Sequence, residues 1–469
     1  MSRWYTDVIQ QAKLADYSPV KGCMVMRPNG YGIWENIQKN LDPLLKDLGV
    51  ENSYFPLFIP LSLLNKEAEH VKGFAPELAI VTHGGGEELE EKLAVRPTSE
   101  TIMYAMYSKW IQSHRDLPLC LNQWNNVVRW EKRTYFFLRT TEFLWQEAHT
   151  AHATHDEARQ MMMGGLEAYR KLVEDYLAIP VIKGRKSESE KFAGADITTT
   201  IEAMMPDGKA LQAGTSHDLG QNFSKESAFN ISFQNKVGAT DYVWQTSFGL
   251  STRTIGALIM IHGDDEGLVL PPKVAPCQVA IIPTEDKGEI IVTANKLLND
   301  LKQSGVRAKI IFDSEHTLGF RLNETEIQGT PLSLIVGEKE INSGVVSGKI
   351  RHSQEKVTIE FGLTAEKVSE LLETIQKDMF KKASVVCDSL TSEVNDYDEF
   401  KKVMSYKRGF IKAFWCEDSG CERAIKEETK ASTRCLPFID EKGNVLEENG
   451  RCVKCGKPAT YRWIFAQAY

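Results

Sequence analysis

No stretch of the 469-residue chain stays apolar for 18 residues, so nothing in it is long enough to cross a bilayer as a helix. The opening MSRWYTDVIQQAK also lacks the basic start, apolar run and small-residue cleavage site of a signal peptide. These absences predict a cytoplasmic protein with no membrane partner. Positive charge is scarce as well: 56 Lys and Arg against 64 Asp and Glu leave a formal net charge of -8. A wholly basic surface is thereby excluded, while a local basic face remains open. Cysteine is present in an odd number, nine, and five of them follow residue 415. An evenly spread disulfide framework does not fit that distribution, and metal binding does. At about 150 residues per domain, the length predicts three domains.

The most informative stretch is VVRWEKRTYFFLRTTEFLWQEAHTAH, from Val127 to His152. Arg129 and Arg139 suit phosphate oxygens, because guanidinium keeps its charge and offers paired planar donors. Glu131 can accept from an adenine amine, and Phe143 offers a flat face to the same base. Gln146, Glu147 and His149 add polar groups, with two-residue spacing aiming side chains one way along a strand. A plain antiparallel hairpin with charged edges is the alternative. The histidines at 149, 152 and 155 do not follow the metal-hydrolase pattern of two histidines four apart around a glutamate.

This stretch resembles motif 2 of the class II aminoacyl-tRNA synthetases. GYGIWENIQKNLDPLLKDLGVENSYFP, Gly30 to Pro56, resembles motif 1, and FGLSTRTIGALIMIHGDDEGLVLPP, Phe248 to Pro272, resembles motif 3. With RPTSE at Arg96 to Glu100, KFAGADITTTIEA at Lys191 to Ala203 and QAGTSHDLGQNF at Gln212 to Phe223, the whole chain is similar to the prolyl-tRNA synthetases of archaeal and eukaryotic-like type. The resemblance implies an α/β (α+β) architecture: an antiparallel-sheet catalytic domain over 1–272, an α/β anticodon-binding domain over 273–382, and a small zinc-binding α/β domain over 383–469. It implies ATP-dependent activation of L-proline followed by transfer to the 3'-terminal ribose of tRNA(Pro), by a homodimer. The hundred or so residues between motifs 2 and 3 leave no room for the editing domain that bacterial-type relatives insert there.

Helical spacing of apolar residues runs from Ile33 to Leu48, with Pro43 inside it and Gly49 placed to end it, and a strand is expected from Asn52 to Pro60. A second helix is expected near Asp156 to Leu177. After LVLPPKVAP, Leu268 to Pro276, the pattern predicts strand Gln278 to Pro283, helix Gly288 to Gln303, strands Val306 to Phe312 and Leu332 to Val336, and helix Ala365 to Lys381.

Proline's carboxylate is already a nucleophilic anion, so its attack on the α-phosphate of ATP needs no catalytic base. It needs alignment and charge neutralisation, expected from Arg129 and Arg253 with Mg²⁺. Thr98 and Glu100 can accept from the charged secondary amine; PTSE also reads as a helix N-cap with an acidic first turn. By resemblance, Phe74, Glu77, Trp145 and His217 complete the proline pocket, and Thr140, Gln212 and Thr215 join the ATP contacts. The resemblance also brings the carboxylate of Tyr469 towards the active site. Cys416-x4-Cys421 and Cys452-x2-Cys455, thirty residues apart, form two thiolate pairs suited to a closed structural zinc site, with Cys435 a spare candidate.

The chain departs from its relatives at TLGFRLNETEIQGTP, Thr317 to Pro331, where a customary aromatic stacking platform is missing; Glu326 and Lys339 remain as anticodon candidates. Phe248, Ala148 and Asp218 replace a tryptophan, a glycine and a bulkier residue, and are expected to alter pocket shape. The rival reading is a synthetase-like protein that has become a regulator or scaffold. Retention of Thr98, Glu100, Arg129, Arg139, Phe143, His217 and Arg253 speaks against it.

Overall fold

The computed structural model describes residues 2–64 and 78–469. Its main element is a sheet of eleven strands among the described residues. In spatial order these are Thr391–Glu393, Phe410–Trp415, Tyr461–Ala466, Ser432–Pro437, Val181–Arg185, Ile197–Met204, Ala210–Gly220, Trp244–Ser251, Glu142–His152, Leu119–Val128 and Glu51–Asn52. All but the two outermost pairings are antiparallel. This is the mixed α/β, antiparallel-dominated architecture expected from the sequence.

Two-residue alternation gives this sheet two unlike faces. Along Glu142–His152, Leu144, Gln146 and Ala148 turn towards helices Pro28–Lys46 and His155–Lys171, in one apolar core with Leu41, Leu166, Tyr169, Phe248 and Leu250. Phe143, Trp145, Glu147 and His149 turn the other way and line a cavity. The helix Pro28–Lys46 begins a turn before its expected start and passes through Pro43. The strand expected over Asn52 to Pro60 is in fact two short ones: Glu51–Asn52 joins the main sheet, and Phe58–Pro60 pairs with Glu87–Val95 in another. Helix His155–Lys171 has a Thr154–Glu157 capping box and continues as a π turn, Leu172–Tyr176. Between Ala153 and Val243 lie only this helix and short strands, with no inserted domain.

The middle region is a five-stranded sheet. Ala308–Ile310, Val279–Pro283 and Leu332–Val336 run parallel, and Val345–Ile350 and Lys356–Glu360 extend it antiparallel. The last two strands, and helix Leu318–Ile327, went unseen in the sequence because polar residues and glycine break their periodicity. Helix Thr364–Ser389 covers 26 residues and crosses the 382/383 boundary unbroken. Arg351, 1% exposed in its side chain, clamps Asp264 with two hydrogen bonds of 2.8 and 2.6 Å, tying this region to the main sheet's unit.

The C-terminal strands belong to the main sheet. Leu436 and Pro437 pair with Arg185 and Gly184. A β-carbon on Gly184 would collide with the Leu436 carbonyl, so glycine is what lets this seam close.

Candidate active site

Cross-strand register arranges the polar face of the sheet in rows. One row reads Thr198, His217, Ser247, His149, and the next Thr200, Thr215, Gly249, Glu147, Gln123. Gly249 brings no side chain to the floor between Thr215 and Glu147, and the Trp145 ring lies against it. Above it lies a cavity of about 310 Å³, lined also by Thr98, Glu100, Gln212 and, from the walls, Arg129 and Arg253.

Gln212 and Thr215 would face opposite ways on a regular strand. A β-bulge at Ala213 turns both towards the cavity: Ile201 pairs with Gly214 and Glu202 with Gln212, leaving Ala213 without a partner across the ladder.

Glu147 is the best-held group in the site. Its carboxylate accepts from Thr98 Oγ1 at 2.9 Å, Asn125 Nδ2 at 2.8 Å and the Ser99 backbone N–H at 3.0 and 3.1 Å, and meets His149 Nε2 at 3.2 Å. Burial alone would raise its pKa, yet the His149 and Ser99 contacts outweigh it and hold the carboxyl at about 2. Because Thr98 spends its proton on Glu147, its hydroxyl oxygen is presented as an acceptor. Ser99 caps helix Glu100–Trp110 by position only, without a side-chain cap bond; its Oγ accepts instead from Gln123 and Asn125. Arg96 is 2% exposed and bonds to Phe55 O and to Asn126, so it braces the loop rather than facing a ligand.

His217 packs its ring 4.9 Å from Phe192 and places Nδ1 3.0 Å from Thr198 Oγ1. Desolvation, with the nearby His149, pulls its pKa down to about 3, so it is neutral at physiological pH. Arg129 lies over the rings of Trp145 at 5.1 Å and Phe143 at 5.6 Å, with Nε donating to Pro97 O. Arg253 opens helix Arg253–His262, its Nε donating to Leu138 O at 3.2 Å. The enclosing protein lowers the pKa of both guanidiniums, and for Arg253 repulsion by Arg129 and Arg139 adds to it. No ion pair balances Arg129 or Arg253 among the described residues; they are cationic groups facing a shared space.

The sequence-predicted residues separate by position. Thr98, Glu100, Arg129, Phe143, Trp145, Gln212, Thr215, His217 and Arg253 come together around the cavity. Glu131 and Arg139 pair with each other at 2.8 Å in the loop before it. Thr140 is buried and donates to Glu142 O at 2.6 Å, away from the lining. Phe74 and Glu77 lie outside the described residues. Gln146 points to the reverse face, bonding Asn122 at 2.7 Å and Tyr169. The same alternation corrects the expectation for Phe248, Ala148 and Asp218. Phe248 contributes to the cavity lining but packs its ring on Tyr169, while Ala148 sits in the apolar core and Asp218 bonds His155 at 2.7 Å, both away from the lining. Glu147 itself was seen only as one polar group in a row; its spacing from Trp145 and His149 was the available signal.

Glu326 pairs with Lys349 at 2.5 Å in the middle region, while Lys339 is exposed on a short helix, Glu338–Ser343. Tyr469 rests beside the site's sheet: its backbone N–H donates to Ala210 O at 3.2 Å, two residues from Gln212, and its hydroxyl donates to Asp207 at 2.6 Å.

The ligand sulfurs of Cys416, Cys421, Cys452 and Cys455 all lie within 4.8 Å of one another, with Cys416 3.8 Å from Cys421 and 3.6 Å from Cys455. Four sulfurs about 2.3 Å from a tetrahedral Zn²⁺ would be separated by about 3.8 Å, so the cluster fits that ion. Cys435 is apart from it, buried in the sheet, where desolvation pushes its thiol up to about 12.

Three family-level matches fall along the chain: the tRNA synthetase class II core domain (G, H, P, S and T) at residues 81–262, an anticodon binding domain at 278–371, and the prolyl-tRNA synthetase C-terminal domain at 397–469. A proline–tRNA ligase of Chlorobium phaeovibrioides is 53% identical over 473 residues, covering 100% of this chain and 98% of that protein. One from Chlorobium luteolum is 53% identical over 475 residues with the same coverage. Among solved structures, the prolyl-tRNA synthetase of Cryptosporidium parvum, complexed with halofuginone and AMPPNP, superposes with a TM-score of 0.92 at 42% identity, covering 99% of this chain and 94% of that one.

The depressed pKa of Glu147 has a stability signature. A carboxyl held at about 2 stabilises the fold fully above its unfolded value near 4.3, and that contribution is lost as pH falls through the folded value. Glu147→Gln should cost about 2 kcal/mol at pH 7. Urea midpoints should show the gap to wild type narrowing from pH 6 to pH 3; a constant gap would contradict the assignment.

Proposed function

Because the chain belongs to the prolyl-tRNA synthetase family, a class II proline–tRNA ligase family, we propose that its cavity is where L-proline and ATP are joined, with the residues of the sheet's polar face in defined roles. The enzyme forms prolyl-adenylate and then transfers proline to the 3'-terminal ribose of tRNA(Pro). The single observation behind the site assignment is that two cations without carboxylate partners among the described residues, Arg129 and Arg253, face one cavity with the Glu147-braced Thr98 on its floor.

In the first step a proline carboxylate oxygen bonds to the α-phosphorus as the bond to the departing pyrophosphate breaks. Arg129 and Arg253 offset the charge gathering on the phosphoryl oxygens, and their fixed positions need no reorganisation. Phe143 receives the adenine face, Glu131 its amine and Arg139 the outer phosphates, after the Glu131–Arg139 pair opens. Gln212 and Thr215 meet the nucleotide from the floor. Mg²⁺ would arrive with the triphosphate, whose oxygens supply most of its ligands. Thr98 and Glu100 accept from the proline amine, while Trp145 and neutral His217 enclose the ring; Phe74 and Glu77 are carried over by resemblance alone.

The matched stretches fall inside 1–272, 273–382 and 383–469, which supports assigning these to aminoacylation, anticodon binding and a metal-bearing support. Glu326 and Lys339 are the anticodon-side candidates, with the Lys349 pair opening to free a carboxylate for a guanine edge; weaker charging of tRNA(Pro) altered at an anticodon guanine only in the wild type, and not in Glu326→Ala, is the check. Two copies associate through the helix Pro28–Lys46 face, supported by exposure of Tyr17, Val25, Tyr31, Tyr54 and Phe58 nearby in sequence. Sedimentation at micromolar concentration should give a dimer, and a monomer would refute this. No helix among the described residues is long and apolar enough to cross a membrane, in keeping with work in the cytoplasm.

Proline-dependent exchange of pyrophosphate into ATP tests the reading directly. Wild type should exchange, and Arg253→Ala should lower kcat by about 100-fold or more; no exchange by wild type would overturn it. Zn²⁺ held by the four sulfurs closes the C-terminal region, contributing folding energy and no open coordination position. Metal analysis should find about one zinc per chain, and a Cys416→Ser protein that keeps full metal would remove the assignment.

A further inference from the structure

The C-terminal region sends one charged side chain deep into the catalytic sheet. Arg434 lies in strand Ser432–Pro437 at a register shift: Thr433 pairs with Phe465 and Cys435 with Ile464, so Arg434 is the extra residue of a β-bulge. Bulges re-aim side chains. Here the guanidinium crosses beneath strand Val181–Arg185, and Nε and Nη2 donate to Glu202 Oε2 at 3.0 and 2.8 Å. Glu202 is fully buried. Its other oxygen accepts from Lys186 Nζ at 2.7 Å and Thr200 Oγ1 at 2.9 Å.

Glu202 is also the residue that faces Gln212 across the ladder, beside the bulge at Ala213 that turns both Gln212 and Thr215 into the cavity. Two bulges therefore meet on one carboxylate, one supplied by the C-terminal region and one carrying the nucleotide contacts. A buried cation–anion–cation cluster is a poor way to gain stability, because desolvating three charges costs as much as or more than their attraction returns. What it does supply is a fixed position for the strand. The charges of Glu202 and Arg434 both act on Arg253 as well, which places the cluster in the electrical environment of the reacting phosphate.

We propose that Arg434 is a positioning residue for ATP: by gripping Glu202 it fixes strand Ile197–Met204, against which the bulged strand Ala210–Gly220 pairs in the register that presents Gln212 and Thr215 to the nucleotide. The proposal rests on the aminoacylation reading above. Proline contacts lie farther along the same two strands, on the Thr198–His217–His149 row on the other side of the bulge from Glu202, and at Thr98, whose carboxylate brace is Glu147. The C-terminal region thus serves the first half-reaction, in which no tRNA takes part.

Pyrophosphate exchange on the full-length, metal-loaded protein separates the outcomes. Arg434→Gln should raise KM for ATP about five- to twentyfold while KM for proline stays within about twofold. Zinc content should match wild type. Arg434→Lys should recover part of the loss, and Glu202→Gln, which keeps the side chain's shape should the arginine variant fold poorly, should show the same selectivity for ATP. Equal changes in both KM values, or a lowered melting temperature with both KM values unchanged, would overturn the proposal and leave Arg434 a purely structural residue. Absence of exchange in wild type would instead count against the aminoacylation reading itself.

Discussion

Like charges walled into one cleft are the constraint on which the rest of this protein depends. Arg129 and Arg253 keep their guanidiniums facing a common space, each held through Nε to a backbone carbonyl and neither in a salt bridge with a carboxylate among the described residues. Burial lowers the pKa of Arg253, and repulsion from Arg129 and Arg139 adds to it. Left to relax, such groups would separate towards water. They stay because the backbone carries them: Arg129 just past the end of strand Leu119–Val128, Arg253 at the first turn of the helix that follows strand Trp244–Ser251, two strands away in the same sheet. An anion with several oxygens relieves the repulsion, and one whose charge grows during reaction relieves it most.

Holding that arrangement takes a wide, stiff sheet. The apolar faces of the two helices on its reverse side absorb alternate residues of the strands, which leaves the obverse free to be polar. On that side Glu147 serves as the anchor, fixing Thr98, Ser99, Asn125 and His149 around one carboxylate. The C-terminal strands widen the sheet across the Gly184 seam and reach Glu202 through Arg434, so the region that carries the four-cysteine cluster is structurally continuous with the floor of the cavity. The middle region is attached differently, by discrete clamps such as Arg351 on Asp264 at the far end of the helix that begins with Arg253.

Residues whose chemistry is local were legible in the sequence. Arg129 and Phe143 in one short charged stretch, and the four cysteines in two pairs, declare themselves by type and interval, whereas Trp145 and His217 entered only through the family resemblance. What depends on three-dimensional register was not legible. Phe248, Ala148 and Asp218 looked like pocket residues until alternation put them on the helix side. Gln212 and Thr215 share a face only because Ala213 bulges, and no pattern in QAGTSHD announces a bulge. The Lys186–Glu202–Arg434 cluster joins residues more than two hundred apart through a strand pairing that short-range patterns do not encode. The antiparallel strands Val345–Ile350 and Lys356–Glu360 were missed because lysine, serine and glycine blur their alternation.

The most direct measurement is a crystal structure with a non-hydrolysable prolyl-adenylate analogue. Its phosphate mimic should lie between Arg129 and Arg253, with the adenine against Phe143 and the pyrrolidine ring beside His217 and Thr98. An analogue that binds with its phosphate mimic away from both arginines would contradict the central role given to those two charges.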